Sequence, residues 1–120
     1  MSLRDEDLKL LYDIEQAAKL VLEFVAGKTE QDYQTSVLLR SAVERQFEII
    51  GEATNRLSKA NPALAAQINH YPKIIAFRNQ LIHGYDTTSD SVVWRIIHND
   101  LPALRKDLLS IYDFEHDTNE

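Results

Sequence analysis

Four side chains with the chemistry to act on a phosphate group lie within eight residues: Arg78, Asn79, His83 and Tyr85. Arginine can stabilise the negative charge of a phosphoryl transition state, and histidine is suited to proton transfer near neutral pH. Asn79 and His83 are four residues apart, so on a helix they share one flank. Gly84 then supplies a helix stop signal, which frees His83 and Tyr85 from regular packing. This spacing favours phosphate chemistry, with Arg78, Asn79, His83 and Tyr85 as the candidate residues.

Arg78 is expected at the middle of an apolar helix face. At about 100° per residue, the apolar side chains of Ile74 and Ile82 flank it on either side. A guanidinium left unpaired there would be strongly destabilising. In one interpretation it forms an ion pair that only fixes helix packing, and in the other it meets a phosphate at a subunit interface or cleft. The candidate ion-pair partners are carboxylates of the preceding long helix: Glu44, Glu48 and Glu52.

The hydrophobic pattern that must place these side chains is helical, and we predict no strands. Apolar residues recur at three- and four-residue spacing in the long segments. The predicted helices run over Arg4–Ala26, over Asp32–Ser58, over Lys73–His83 after Pro72, and from the cap candidates Ser89 and Asp90 to Tyr112. Asn61-Pro62 opens a short helical turn between the second and third of them. The predicted fold is one all-α domain, residues 1–120, built as a bundle of four main helices plus that turn.

One glycine and the C-terminal tail depart from this pattern. Gly51 lies inside the second predicted helix, where glycine costs roughly 1 kcal/mol relative to alanine. We attribute it to the close approach of a neighbouring helix. The acidic tail, residues 114–120, is predicted to fray.

Composition narrows the possible chemistry. The chain contains no cysteine, which excludes disulfides, thiolate metal sites and cysteine nucleophiles. Its histidines show no metal-ligand spacing, so we expect no metal and no cofactor. The N-terminus is too charged for a signal peptide, and no apolar run approaches the roughly 20 residues that span a bilayer. The sequence therefore predicts a soluble, cytoplasmic protein without a membrane partner.

The charge distribution bears on the substrate. A net charge of −6 argues against broad, non-specific nucleic-acid binding, which depends on many phosphate contacts. Residues 38–106 nevertheless hold nine basic side chains against six acidic ones. An anionic substrate should therefore meet the middle of the chain rather than its ends.

Three segments together resemble a known family. The stretch from Phe77 to Tyr85, with Arg, four residues, His, one residue and Tyr, is similar to the Arg-x4-His-x-Tyr signature of the HEPN superfamily, in its HepT-like toxin branch. Residues 48–53 in the second predicted helix resemble that branch too, as do Val93-Trp94 and the Asn99-to-Pro102 stretch in the last. The resemblance covers nearly the whole chain.

The resemblance implies a fold, an activity and partners. It implies a homodimeric HEPN-type helical bundle in which two copies of the motif face each other. Such proteins are regarded as metal-independent ribonuclease toxins, neutralised by a minimal nucleotidyltransferase antitoxin of the MntA type. In that scheme Arg78 and His83 are the catalytic pair, and Asn79 is the polar residue beside the arginine. Tyr85 is the tyrosine that the antitoxin adenylates, and RNA is the substrate, with tRNA and mRNA as candidate targets.

A non-catalytic binding module is the alternative function. A HEPN-like dimer would then only dock onto a nucleotidyltransferase partner or bind a nucleotide. The net acidity favours this alternative, because RNA binders usually carry a larger basic surface. The intact pair of Arg78 and His83 favours the nuclease.

Overall fold

The computed structural model describes residues 3–83 and 89–118, with side chains described as far as residue 112. Six helices follow one another: α1 (Asp5–Val25), α2 (Glu30–Thr35), α3 (Val37–Ala60), α4 (Pro62–Ala65), α5 (Tyr71–His83) and α6 (Asp90–Thr118). The described residues contain no strand, so the all-α prediction is confirmed. Within the same ranges, no helix is both long enough and apolar enough to cross a membrane.

The second predicted helix, Asp32–Ser58, is wrong as a single element, because the chain breaks at Ser36. The backbone of Ser36 is extended (φ −110°, ψ 107°), and its side chain accepts a hydrogen bond from the amide of Leu39 that caps α3. The preceding α2 begins at Glu30, two residues earlier than predicted. Thr29 and Asp32 form a reciprocal capping box there. Two capping signals in succession thus divide the segment into a short helix and a long one.

Other predicted boundaries hold more closely. Asn61 caps α4, its side-chain oxygen accepting from the amide of Leu64 at 3.2 Å, with Pro62 at the first helical position. The last helix, however, continues through Pro102 to Thr118 instead of ending near Tyr112. The apolar pattern that set the predicted end stops at Tyr112, but residues 113–118 include no proline or glycine to end a helix. The prediction that the tail frays is therefore wrong for residues 114–118.

The core forms where α1, α3 and α6 pack together. The start of α1 lies beside the end of α3, because Arg4 donates to the Ala60 carbonyl at 2.9 Å. These two helices therefore run antiparallel. Their inward side chains join those of α6 in one buried cluster. The members of this cluster that are 1% exposed or less include Ile14, Val21, Val43, Ile50, Leu57 and Ile97.

A buried carboxylate fastens α1 to the junction of α3 and α4. Asp7 is 1% exposed, and it accepts hydrogen bonds from Asn61 Nδ2 at 3.1 Å and from Arg4 Nε at 3.4 Å. Burial alone would raise the pKa of Asp7, but the hydrogen bonds from Asn61 and Arg4 outweigh it and lower the pKa. The ionised form is therefore the one that the fold stabilises.

Replacing Asp7 by asparagine should destabilise the fold in a pH-dependent way. The folded-state pKa lies below the usual value of 3.8, so the stabilisation is complete above that value and is lost as the pH falls from it through the lower folded-state pKa. The difference in unfolding free energy between wild type and Asp7→Asn should be smaller at about pH 3 than at about pH 6, as measured by urea denaturation. Asp5→Asn is the control, since Asp5 is exposed in the same turn. An equal difference at both pH values would contradict the role of the charge.

Candidate active site

The helix that carries Arg78 is only half covered by the rest of the chain. None of the α5 side chains is fully buried. Phe77 anchors α5 on α3 by meeting the ring of Phe47 edge-on, with ring centroids 5.1 Å apart and an interplanar angle of 89°. Ile82, near the other end of the helix, is 37% exposed. One face of α5 therefore rests on α3, while Ile82 is exposed and Ile75 is only partly buried.

The two helices approach each other closely at Gly51. A Cβ added there would come within 2.5 Å of Arg78 Cγ and still closer to Arg78 Cβ, far inside carbon–carbon contact distance. The predicted reason for this glycine, close approach of a neighbouring helix, is confirmed. The stem of Arg78 occupies the space that any other residue would fill.

The guanidinium of Arg78 is held at two points. Nη2 donates to Glu52 Oε2 at 3.0 Å, and Nη1 donates to Asn79 Oδ1 at 3.0 Å. Of the three carboxylates considered from sequence, the ion-pair partner is thus Glu52. The side chain of Arg78 is 26% exposed and that of Glu52 is 44% exposed, so the pair is open to solvent. Arg78 can therefore keep its ion pair with α3 and still contact a phosphate at this site.

Two N–H groups of Arg78 remain for an anion. A guanidinium carries five N–H donors, two of them on each terminal nitrogen. One bond to Glu52 and one to Asn79 leave a second N–H on each terminal nitrogen. The Nε atom is buried without a hydrogen-bond partner in the described structure. The guanidinium of Arg78 is therefore held in place while some of its N–H donors remain unused.

His83 is the last residue of α5, and its side chain is exposed. Among the described residues, none forms a hydrogen bond or ion pair with its imidazole ring. Asn79 lies one helical turn earlier on the same flank and is also exposed. The structure thus joins Arg78 to Asn79 by a hydrogen bond, whereas it shows no such bond between Arg78 and His83. Gly84 and Tyr85 lie outside the described residues, so their predicted roles stay predictions.

Glu52 also contacts a second arginine that sequence reasoning missed. Its Oε1 accepts from Arg56 Nε at 3.1 Å, while Oε2 accepts from Arg78. Arg56 is 69% exposed. The four-residue spacing of Glu52 and Arg56 on one helix was the available signal. Two guanidinium groups against one carboxylate leave this small region with a net positive charge.

A cleft on this side of the molecule does not contain these polar groups. It lies between α5 and α6, has a volume of about 580 Å³, and has Phe47 and Ile50 among its lining residues. Lys73 and Arg95 stand at its edge. Its α5 lining residues lie on the opposite flank from Asn79 and His83. In the described ranges no group of three or more His, Asp or Glu side chains is placed to hold a metal ion.

Comparison with known proteins identifies relatives over almost the full chain. The family model described as "Ribonuclease HepT-like" matches residues 14–111. The protein "Gamma-glutamylcyclotransferase and putative RNase MJ0434" of Methanocaldococcus jannaschii is 33% identical over 96% of this chain, which spans 51% of that relative. "Putative RNase MJ1380" of the same organism is 32% identical over 90% of this chain and 97% of its own length. "Probable ribonuclease HepT" of Thermococcus cleftensis is 30% identical over 79% of this chain and 86% of its own length. No solved structure matches the chain.

The chain thus spans about half the length of the first of these relatives and nearly all of the second. The matched region, residues 14–111, contains Gly51, Glu52, Arg78 and His83. The similarity therefore extends over both helices that form the candidate site.

Gly51→Ala should destabilise the fold, although alanine is the better helix former. The gain in helix propensity is about 1 kcal/mol, and forcing a methyl group against the stem of Arg78 should cost more, about 1–3 kcal/mol. Urea unfolding of the purified variants measures the difference. Ser41→Ala is the control, because Ser41 is exposed on the same helix and should lose nothing. A Gly51→Ala protein as stable as wild type would mean that α5 does not approach α3 this closely.

Proposed function

We propose that this chain, which belongs to the HepT-like ribonuclease family, is a metal-independent endoribonuclease toxin with Arg78 and His83 as its catalytic pair. The observation that supports this most is the state of Arg78, held by Glu52 and Asn79 yet part exposed and with donors to spare. His83 ends the same helix with an exposed side chain. We expect the protein to act in the cytoplasm on RNA, with tRNA and mRNA as candidate targets.

The reaction needs no group beyond these side chains and the RNA itself. The 2′-oxygen attacks the adjacent phosphorus and forms a P–O2′ bond, while the bond from phosphorus to the 5′-oxygen breaks. A base takes the 2′-hydroxyl proton and an acid gives a proton to the leaving 5′-oxygen. The products are a 2′,3′-cyclic phosphate and a 5′-hydroxyl. His83 is the group suited to proton transfer, and Arg78 donates to the oxygens whose negative charge grows.

A homodimer is part of the proposal because one chain offers one histidine at this place. A two-fold axis beside α5 would bring a second Arg78 and a second His83 into the same cleft. The half-covered apolar surface of α5, with Ile82 37% exposed, supports a partner surface there. Catalysis would then depend on dimerisation.

The proposed partner is a minimal nucleotidyltransferase of the MntA type that acts as the antitoxin. It would transfer adenylate from ATP to the hydroxyl of Tyr85 and release diphosphate. Tyr85 follows His83 by two residues, so each adenylate would add bulk and negative charge close to the catalytic histidine. Both effects oppose the binding of an RNA phosphate.

A non-catalytic binding module is the second candidate function. The net charge of −6 favours it, since proteins that bind RNA broadly depend on many basic contacts. In that case the HEPN-like dimer would only dock on the nucleotidyltransferase or hold a nucleotide. Arg78 and His83 would then contact an anion without cleaving it.

His83→Ala should abolish RNA cleavage while leaving the fold and the dimer intact. Loss of a general acid–base group typically lowers the rate by about 10²- to 10⁴-fold. Purified, unmodified protein is incubated with total RNA and with tRNA in EDTA, and the products are analysed for 2′,3′-cyclic phosphate ends. His98→Ala is the control, because His98 is an exposed histidine of α6. A dimeric, unmodified wild type that cleaves neither RNA would favour the binding module.

Co-expression with a cognate nucleotidyltransferase should add the mass of one or more adenylate groups to the wild type but not to Tyr85→Phe. Intact-mass spectrometry reads the modification directly, and peptide mapping locates it. Tyr12→Phe serves as the control, since Tyr12 is 62% exposed on α1 and its loss should leave the modification unchanged. If the Tyr85→Phe protein gains the same mass, the proposed regulation at Tyr85 is wrong.

A further inference from the structure

We infer that Glu52 is a positioning residue for the reaction, acting on RNA only through Arg78; this role rests on the ribonuclease function proposed above. The juxtaposition that carries the inference is made by two consecutive residues of α3. The aliphatic stem of Arg78 packs against Gly51, and its Nη2 atom lies 3.0 Å from Glu52 Oε2. A long, flexible side chain is thereby fixed at both ends by the same turn of one helix.

The energy of this ion pair points to orientation rather than to stability. Glu52 and Arg78 are 44% and 26% exposed, and exposed pairs of this kind contribute little to folding because water screens them. Screening by water does not weaken in the same way the effect of the ion pair on the orientation of Arg78. An arginine that is already ordered when RNA arrives need not lose its rotamer freedom during the reaction.

The hydrogen-bond pattern leaves the ordered group able to bind. Glu52 uses one N–H of Nη2 and Asn79 uses one N–H of Nη1. The remaining N–H on each terminal nitrogen can donate to a phosphate oxygen. Glu52 thus restricts where Arg78 points without occupying the donors that a phosphate needs.

Arg56 completes the arrangement on the far side of the carboxylate. It donates from Nε to Glu52 Oε1 at 3.1 Å, four residues along α3. With both oxygens engaged, the carboxylate has little freedom to rotate. The second cation also offsets the negative charge that Glu52 brings close to the phosphate path.

The test compares Glu52→Ala and Glu52→Gln with Glu48→Gln. Glu48 lies one turn earlier on α3 and pairs with Arg45 at 3.9 Å, so its replacement should leave cleavage unchanged. Glu52→Ala should lower kcat by about 10- to 100-fold, the cost of misplacing a catalytic group by about 1 Å, with KM changing much less. Glu52→Gln keeps an oxygen that can accept from Nη2 and should fall between Glu52→Ala and wild type.

A double-mutant comparison separates positioning from an independent role. In single-turnover assays, adding Glu52→Ala to Arg78→Ala should lower the residual rate less than twofold (roughly the limit of additivity error), because the side chain that Glu52 positions is already gone. Full additivity of the two losses would overturn the inference. An active protein whose kcat is unchanged by Glu52→Ala would overturn it as well.

A measurement without RNA keeps this inference distinct from the proposed function. Nitrogen-15 NMR of the guanidinium, assigned with Arg78→Ala, should show slowed rotation of the Nη groups in wild type and in Glu48→Gln. Rotation should become fast in Glu52→Ala. If wild type cleaves no RNA but the slowed signal depends on Glu52, the ribonuclease proposal fails and the ordering of Arg78 stands. Unrestricted rotation in wild type would refute the ordering whatever the enzyme does.

Discussion

The contact between Gly51 and the stem of Arg78 determines how α5 sits on α3. A Cβ at residue 51 would lie 2.5 Å from Arg78 Cγ, so only glycine permits this separation of the two helices. Phe77 precedes Arg78 in α5 and packs on Phe47 of α3. This ring contact requires the same close approach of the two helices. With the helices this close, the polar end of Arg78 pairs with the carboxylate that follows Gly51 in the chain. The chemistry of the site therefore depends on the absence of one side chain.

Helical periodicity was enough to predict the fold class, but not where helices join. The apolar spacing identified α1, α5 and the start of α6 closely. It merged α2 with α3, because no glycine or proline separates them at Ser36, although the backbone there is extended. The capping box of Thr29 and Asp32 marked the start of α2. Because both residues are polar, they do not contribute to the hydrophobic pattern. Local hydrogen bonds decided these boundaries rather than burial.

The site was predictable in its residue types and less so in its pairing. That Arg78 needs a partner follows from its place among apolar neighbours. Glu44, Glu48 and Glu52 repeat every four residues and so share a face of α3, which makes them equivalent from sequence. The choice between them depends on how far α5 lies along α3, and the contact at Gly51 sets that distance. Register between helices is a tertiary property that no single helix records.

The geometry of α5 itself bears on how many chains a site requires. Arg78 and His83 are five residues apart, so on an ideal helix their side chains diverge by about 140° and their Cα atoms are about 7.5 Å apart along the axis. The first points toward α3, where Glu52 holds it, and the second extends from the exposed flank. One helix cannot easily turn both toward the same phosphorus atom. In the proposed homodimer, a second copy of α5, running antiparallel across a two-fold axis, would place the His83 of each chain beside the Arg78 of the other. The same five-residue spacing that weakens a one-chain site therefore favours a shared one.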